Sequence, residues 1–134
     1  MSKFFGPDVE EITLKDFKTL PTPGGKVGLD FINPRFAGKS GMVISYAPWC
    51  PHCHNMAPEV MELARVTKGL YPIGAINSDD HASGNNIVND YLKVSGYPSI
   101  KIWNEGKFKD YTGGRSLQDM LRFLCMENGL CELI

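Results

Sequence analysis

Tyr46-Ala47-Pro48-Trp49-Cys50-Pro51-His52-Cys53-His54 is the stretch that decides the fold. Two cysteines separated by two residues can close a small disulfide ring or supply half of a metal site. The run 41–46 before them is short, apolar and partly β-branched, which predicts a buried strand. Apolar residues then recur at the three- and four-residue intervals of a helix, at Met56, Val60, Leu63 and Ala64.

The junction between this strand and this helix suits a negatively charged sulfur. Unpaired N–H groups and the helix dipole stabilise an anion at a helix N-terminus by up to about 2 kcal/mol. Cys50 lies closer to that end than Cys53, so we expect Cys50 to carry a reactive thiolate.

The composition is that of one small globular domain. The 134 residues are 43% hydrophobic, which is enough for a single core, and we expect residues 1–134 to form one domain. The net charge is −1 and the basic residues are dispersed, so we expect no nucleic-acid partner. No apolar run approaches the roughly 20 residues that cross a bilayer, so we expect no membrane association.

The cysteine pattern favours redox chemistry over a structural disulfide framework. Four cysteines are too few for such a framework in a chain of this size, and residues 1–7 lack the apolar core of a secretory signal. We therefore expect a cytoplasmic location, unless a leader has been removed. Cys125 is expected to be a small buried hydrophobe and Cys131 an unpaired thiol, with a disulfide between them as the alternative.

The chain before the two cysteines divides into an ordered start and an irregular segment. Residues 8–12 alternate weakly like an edge strand, and Thr13 is placed to cap a short helix. The apolar positions of that helix are Leu14, Phe17 and Leu20. Prolines and glycines make residues 21–40 an insertion that folds over the surface. Four apolar residues are expected to anchor the insertion, namely Leu29, Phe31, Ile32 and Phe36.

After the two cysteines, strands and helices alternate. The first helix should end near Gly69 and a strand should follow at 71–77. An amphipathic helix is indicated by Ile87, Val88, Tyr91, Leu92 and Val94. Strands at 99–103 and 108–111 are joined by a hairpin turn. Ser116 should cap a last helix with an apolar stripe of Leu117, Met120, Leu121, Leu124 and Cys125, before a tail at 127–134.

This order predicts an α/β fold with a central mixed sheet. Parallel crossovers precede a terminal antiparallel hairpin, and such a sheet needs helices on both faces.

The motifs around the cysteines resemble those of thioredoxin-fold oxidoreductases. Trp49-Cys50-x-x-Cys53 follows an apolar strand, with Pro58 five residues beyond the second cysteine. The similarity is greater to the catalytic domains of protein disulfide isomerases, and it spans residues 43 to 124. Its further motifs are Tyr46-Ala47-Pro48-Trp49-Cys50, Val94-Ser95-Gly96-Tyr97-Pro98-Ser99-Ile100-Lys101-Ile102, Gly106-Lys107-Phe108 and Gly114-Arg115-Ser116. The insertion at 21–40 and the tail after residue 126 have no counterpart in this family.

The resemblance implies a role for each matched residue. Cys50 would be the exposed nucleophile, Cys53 the buried resolving thiol and Trp49 a packing residue beside them. Pro98 would be a cis-proline facing the cysteine pair, and the backbone of Tyr97 would pair with an extended substrate.

Two further positions would tune the thiols. Arg115 matches an arginine that in the isomerases helps to stabilise the thiolate of the second cysteine. Pro51 and His52 differ from the dipeptides of thioredoxins and isomerases, and resemble the pair of a strongly oxidising bacterial periplasmic enzyme. A cationic or hydrogen-bonding His52 would lower the pKa of Cys50 and make the disulfide more oxidising. His54 is expected to face solvent.

The family usually buries a carboxylate six residues before the first cysteine and pairs it with a lysine on the next strand. Here the corresponding residues are Ile44 and Ala75. Because the carboxylate and the lysine are both replaced by apolar residues, neither charge is left buried without a partner. Their loss leaves Cys53 without an evident base, so we expect mixed disulfides at Cys50 to resolve slowly.

The predicted function is thiol–disulfide exchange with protein substrates, as an oxidase or isomerase. The resemblance implies protein thiol and disulfide substrates, and a redox partner or glutathione that recharges the pair. No cofactor beyond a redox-active Cys50–Cys53 disulfide and no metal is expected.

Two other functions remain open. Cys50 and Cys53 could bind structural zinc with His52 or His54 and a distant cysteine, but Cys125-x5-Cys131 is a poor second knuckle. Alternatively, the fold could bind an extended peptide beside Pro98 without turnover.

Overall fold

The computed structural model describes residues 2–25 and 27–134. The sequence-based expectations for Met1 and for Lys26 of the insertion lie outside the described residues.

The central feature is a mixed five-stranded sheet. In chain order the strands are β1 (Glu10–Glu11), β2 (Phe17–Pro21), β3 (Val27–Phe31), β4 (Gly41–Tyr46), β5 (Ile73–Asn77), β6 (Ser99–Asn104) and β7 (Lys107–Asp110). The helices are α1 (Pro51–Val66), α2 (Asn85–Leu92) and α3 (Leu117–Asn128). The strand order of the central sheet is β1-β5-β4-β6-β7, and β2 and β3 form a separate two-stranded sheet. β5 runs parallel to β1 and β4, whereas β6 is antiparallel to β4 and β7. The predicted mixed sheet is confirmed.

Each face of the sheet is covered, as its apolar strands require. Met56 and Val60 of α1 and Leu124 of α3 pack against one face. Val88 and Leu92 of α2 pack against the other face, together with aromatic residues of β2 and β3. All six residues of β4 are buried, so the strand that leads into Cys50 lies at the centre of the molecule.

The helix predicted after Thr13 is wrong beyond its first turn. Thr13 and Asp16 do form a cap, in which the N–H of Thr13 donates to a carboxylate oxygen of Asp16 at 2.9 Å. A single 3-10 turn follows, and β2 then pairs antiparallel with β3. Two features favour the strand: Pro21 biases the residue before it toward extended backbone, and Gly24 adopts a positive φ of 81° that helps the chain reverse.

The insertion is therefore partly regular and is anchored mainly as predicted. Leu29, Phe31 and Phe36 are buried, but Ile32 is 50% exposed. Side chains alternate between the two faces of an extended chain, so Ile32 points away from the core that Phe31 enters.

Phe36 of the insertion packs closely against the central sheet. A Cβ atom at Gly41 of β4 would lie 2.5 Å from the Phe36 ring and 2.8 Å from the carbonyl oxygen of Pro72. The ring therefore occupies space that only glycine leaves free.

One other expectation needs correction. α2 buries a narrower stripe than predicted, because Ile87 and Tyr91 are exposed and the helix ends at Leu92, before Val94. In the tail, Leu130 and Leu133 pack against the core.

Within the described residues, no helix has the length and apolar character that a membrane span requires.

Gly41→Ala should destabilise the fold by about 1–3 kcal/mol, because the added methyl group overlaps the Phe36 ring and the Pro72 carbonyl. Urea unfolding at a fixed redox state measures the free energy of unfolding. Gly96→Ala is the matched control, since its methyl group would meet nothing within 4 Å. Equal stability of the two variants would contradict the packing described for Phe36.

Candidate active site

Cys50 caps the N-terminus of α1, where the buried strand β4 delivers it. The N–H of Cys50 donates to the carbonyl oxygen of Ala47 at 3.0 Å, which closes the turn between strand and helix. The N–H groups of Cys53 and His54 donate to the carbonyl oxygen of Cys50 at 3.1 and 3.2 Å. Pro51 occupies the first helical turn, where its missing N–H costs no hydrogen bond.

The surroundings of Cys50 favour its thiolate. Cys50 is buried, with 4% of its surface exposed, and so is not the exposed nucleophile that was expected. This burial is the largest influence on the pKa of Cys50 and raises it. It is outweighed by hydrogen bonds from the thiol and backbone N–H of Cys53 and from the backbone N–H of His52. The positive charge of Arg115 acts in the same direction, so the pKa of Cys50 lies below its ordinary value.

Cys53 has the opposite tendency. Its side chain is completely buried, and this burial is the main reason that its pKa is raised. A hydrogen bond from the backbone of Ala47 and the charge of Arg115 lower the pKa of Cys53, but a negative charge on Cys50 raises it further. Both cysteines are free thiols in this structure, and the pKa of Cys50 is lowered while that of Cys53 is raised.

The loop before β6 faces Cys50. The Tyr97–Pro98 peptide bond is cis, as the family resemblance implied. The sulfur of Cys50 lies 3.6 Å from the carbonyl oxygen of Tyr97. Tyr97 and Pro98 also line a cleft of about 380 Å³ that Arg115 borders. The structure therefore brings together Cys50, Tyr97, Pro98 and Arg115.

Trp49 is exposed over 65% of its surface, so it is less a packing residue than expected. Its indole N–H donates to a carboxylate oxygen of Asp79 at 3.3 Å, and its ring meets the Tyr97 ring edge-on at 6.0 Å. Asp79 was missed in the sequence because it lies in the turn after β5, 30 residues away.

His54 is exposed as expected, whereas His52 acts on Cys50 differently from the way its side chain was expected to. His52 acts on Cys50 through its backbone N–H, and its imidazole makes no hydrogen bond to any residue that the structure describes. The Nε2 of His54 lies 2.6 Å from the carbonyl oxygen of Pro48, so this nitrogen carries the proton and donates. The His54 ring packs on Phe4 at 4.9 Å, and Phe4 had no sequence signal that marked it as part of the site.

The interior beneath the cysteines is apolar. Ile44 of β4 and Ala75 of β5 are register partners, and neither is exposed to solvent. Glu11 of β1 is the register partner of Ala75 on its other side. The Tyr46 hydroxyl donates to Glu11 at 3.1 Å, and burial raises the pKa of Glu11. Because neighbouring strands are about 4.8 Å apart, this carboxylate lies two strands from Ile44 and does not replace the missing base.

The remaining cysteines form a disulfide, contrary to the expectation of unpaired thiols. Cys125 of α3 and Cys131 are bonded, with Cα atoms 4.2 Å apart. The pairing withdraws both sulfurs from the zinc site considered as an alternative. Among residues 2–25 and 27–134, no group of three or more His, Cys, Asp or Glu side chains could hold a metal ion.

Comparison with known proteins identifies the family. The family model described as Thioredoxin matches residues 35–125. Protein disulfide-isomerase A6 of Mus musculus is 40% identical over 77 residues, which are 56% of this chain and 17% of that protein. Protein disulfide-isomerase tigA of Aspergillus niger is 32% identical over 100 residues, 70% of this chain and 26% of the relative. The chain thus spans about a sixth to a quarter of the length of these two relatives.

Solved structures agree with this assignment. The J-Trx1 fragment of ERdj5 is 34% identical with a TM-score of 0.58, over 67% of this chain and 43% of that one. The family match covers the cysteine pair, the cis-proline loop and most of the sheet. The chain therefore belongs to the thioredoxin family.

Proposed function

We propose that this chain exchanges disulfides with protein substrates through Cys50 and Cys53, in the oxidising or isomerising direction. The observation that supports this function is the opposite shift of the two pKa values, which lowers that of Cys50 and raises that of Cys53. A lowered pKa provides the thiolate that attacks a disulfide, and a protonated partner delays the second attack.

As an oxidase, the chain would start with a Cys50–Cys53 disulfide. A substrate thiolate attacks the Cys50 sulfur, the disulfide opens, and the leaving Cys53 thiolate takes a proton. A second substrate thiolate then attacks the substrate sulfur of the mixed disulfide and releases Cys50 as a thiolate. The substrate loses two electrons and gains a disulfide, while the chain gains the two electrons.

As an isomerase, the chain would start as the dithiol. The Cys50 thiolate attacks a substrate disulfide, and the freed substrate thiolate rearranges onto another sulfur. When rearrangement fails, Cys53 attacks the Cys50 sulfur of the mixed disulfide, which forms the Cys50–Cys53 disulfide and releases the reduced substrate. The carbonyl oxygen of Tyr97, which lies 3.6 Å from the Cys50 sulfur, would pair with the extended substrate strand beside Pro98.

We also propose an oxidising compartment in place of the expected cytoplasmic location. The Cys125–Cys131 disulfide supports this, because such bonds are rare in the reducing cytosol. The relatives named protein disulfide-isomerase support it as well. Glutathione or a protein redox partner would recharge the Cys50–Cys53 pair.

A second candidate function is peptide binding without turnover. The apolar pair Ile44 and Ala75 favours it, because Cys53 then lacks a base to accept its proton.

Cys50→Ser should abolish insulin reduction and dithiol oxidation, because the substitution removes the attacking sulfur. Cys53→Ser should accumulate mixed disulfides with the substrate, visible by non-reducing electrophoresis and mass spectrometry. The double variant Cys125→Ser/Cys131→Ser is the matched control and should keep its activity within about twofold, a change of roughly 0.4 kcal/mol. An inactive wild-type protein that still binds peptide would favour the second candidate function.

Arg115→Met should raise the pKa of Cys50, because the guanidinium charge stabilises the thiolate. The thiolate absorbance near 240 nm, followed against pH, measures this pKa. Weaker stabilisation of the dithiol should also make the reduction potential more negative in equilibrium with glutathione.

For the wild-type protein we expect a potential above about −250 mV, and a lower value would contradict the oxidising or isomerising direction. Arg122→Met is the control, since Arg122 pairs with Asp119 on an exposed surface and should change neither quantity. Identical titrations of Arg115→Met and the wild type would remove Arg115 from the site.

Ile44→Glu should accelerate the release of a substrate held at Cys50, because the new carboxylate can take the proton of Cys53 as it attacks. We expect about a tenfold faster release or more, measured by stopped-flow fluorescence with a labelled peptide. Ile44→Gln has a similar size without a base and should not accelerate release.

Because a lone buried charge can prevent folding, Ile44→Glu combined with Ala75→Lys keeps the charge paired. An unchanged or slower release in both carboxylate variants would refute slow deprotonation of Cys53.

A further inference from the structure

A second groove lies away from the cysteines, between the hairpin of the insertion and the terminal hairpin. It encloses about 510 Å³ between β3 on one side and β7 on the other. Within residues 2–25 and 27–134, β3 pairs only with β2 and β7 pairs only with β6. Both strands therefore present an unpaired edge, which is a template for an added strand.

Aromatic rings form the floor of this groove. The ring centroids of Phe31 and Phe108 are 5.3 Å apart, and Trp103 lies 5.2 Å from Phe31 and 4.7 Å from Phe108. Phe108 and Trp103 are only partly buried. An extended segment in the groove would cover this aromatic surface with every second side chain.

The residues of β7 alternate in chemistry. Lys107 and Lys109 are exposed and flank Phe108, so the two lysines point to one face and the phenyl ring to the other. In an added strand, residues opposite the lysines would be favoured if acidic, and the residue opposite Phe108 if apolar. A second copy of β7 pairing in register would place lysines opposite lysines, which is unfavourable.

The groove borders the cleft of Tyr97 and Pro98, and neither cavity is lined by Cys50 or Cys53. Lys93, Lys101 and Asp110 line both this groove and the cleft of Tyr97 and Pro98. Lys101 forms an ion pair with Asp110, and this ion pair is part of the wall between the two cavities.

We propose that the edge of β7 binds an extended partner segment in which acidic and apolar residues alternate. The segment adds a strand to the sheet, its acidic side chains meeting Lys107 and Lys109 and its apolar side chains covering Phe108. This docking is separate from thiol–disulfide exchange, so it does not depend on Cys50 or Cys53.

The probe is an acetylated and amidated octapeptide of alternating glutamate and valine. Trp49→Phe leaves Trp103 as the single tryptophan of the chain, and its fluorescence should change saturably as the peptide binds. Hydrogen exchange should show protection of the outward amide groups of β7. Both readouts should be the same in Cys50→Ser, which separates docking from redox activity.

Charge reversal tests the chemistry of the edge. Lys107→Glu/Lys109→Glu should weaken binding by about tenfold or more, and a lysine–valine octapeptide should then bind in place of the glutamate–valine one. Lys15→Glu/Lys18→Glu reverses two exposed lysines outside the groove and should leave binding unchanged. A peptide N-methylated at alternate residues should bind poorly, because it lacks the N–H groups that an added strand donates.

Several results would overturn the proposal. The first is the absence of saturable binding of the glutamate–valine peptide up to about 1 mM, a range that includes weak complexes. The second is an equal loss of peptide affinity in Lys107→Glu/Lys109→Glu and in Lys15→Glu/Lys18→Glu. The third is equal affinity for the N-methylated and the unmethylated peptide. A dimer of the chain in analytical ultracentrifugation that Lys107→Glu/Lys109→Glu abolishes would instead assign the edge to a second copy.

Discussion

Hydrogen bonds from the Cys53 thiol and from backbone N–H groups at the start of α1 lower the pKa of Cys50, and the rest of the structure depends on placing these groups around its sulfur. The cap requires β4 to end at Tyr46 and the chain to turn through the Ala47–Cys50 hydrogen bond. It also requires Cys53, one helical turn later, to remain protonated within the core. Two chemically identical side chains thus acquire different pKa values because one faces the helix end and the other faces the apolar sheet.

The row of residues across the sheet explains the second half of this asymmetry. Ile44 and Ala75 carry no charge that could act on Cys53. Glu11 lies beyond them on the edge strand and accepts a hydrogen bond from the Tyr46 hydroxyl. An apolar row avoids burying an ion pair, whose desolvation free energy is often as large as the attraction between the two charges. The same row removes the group that would otherwise take a proton from Cys53. Under the proposed function, stability and speed would therefore oppose each other at this position.

The parts of the fold that were predictable are those coded by local patterns. The period of α1, the alternation of β6 and the turn before β7 are each visible in a few adjacent residues. The cis bond before Pro98 followed only from family resemblance, since about 5–6% of X–Pro bonds in folded proteins are cis. The resemblance was sufficient because its motifs surround the cysteines directly.

The incorrect predictions concern contacts between distant residues. Leu14, Phe17 and Leu20 fit a helical spacing, and only pairing with Val27–Phe31 makes the second half of that segment a strand. The contact of Phe4 with His54 joins residues 50 positions apart and has no local signature.

The Cys125–Cys131 bond depends on the end of α3. Gly129 adopts a positive φ of 70°, and the N–H of Leu130 returns to the carbonyl oxygen of Leu124. This reversal brings the two sulfurs together, and the five-residue spacing alone did not reveal it.

That bond gives the chain a second redox couple, which complicates any count of thiols. If the Cys50–Cys53 pair is oxidised, complete reduction releases four thiols, of which only two belong to the active site. Electrons counted by a thiol reagent would then be shared between the two disulfides. A potential for the active-site pair is cleanest when read from a signal local to it, such as the indole of Trp49, which touches Tyr97 beside Cys50.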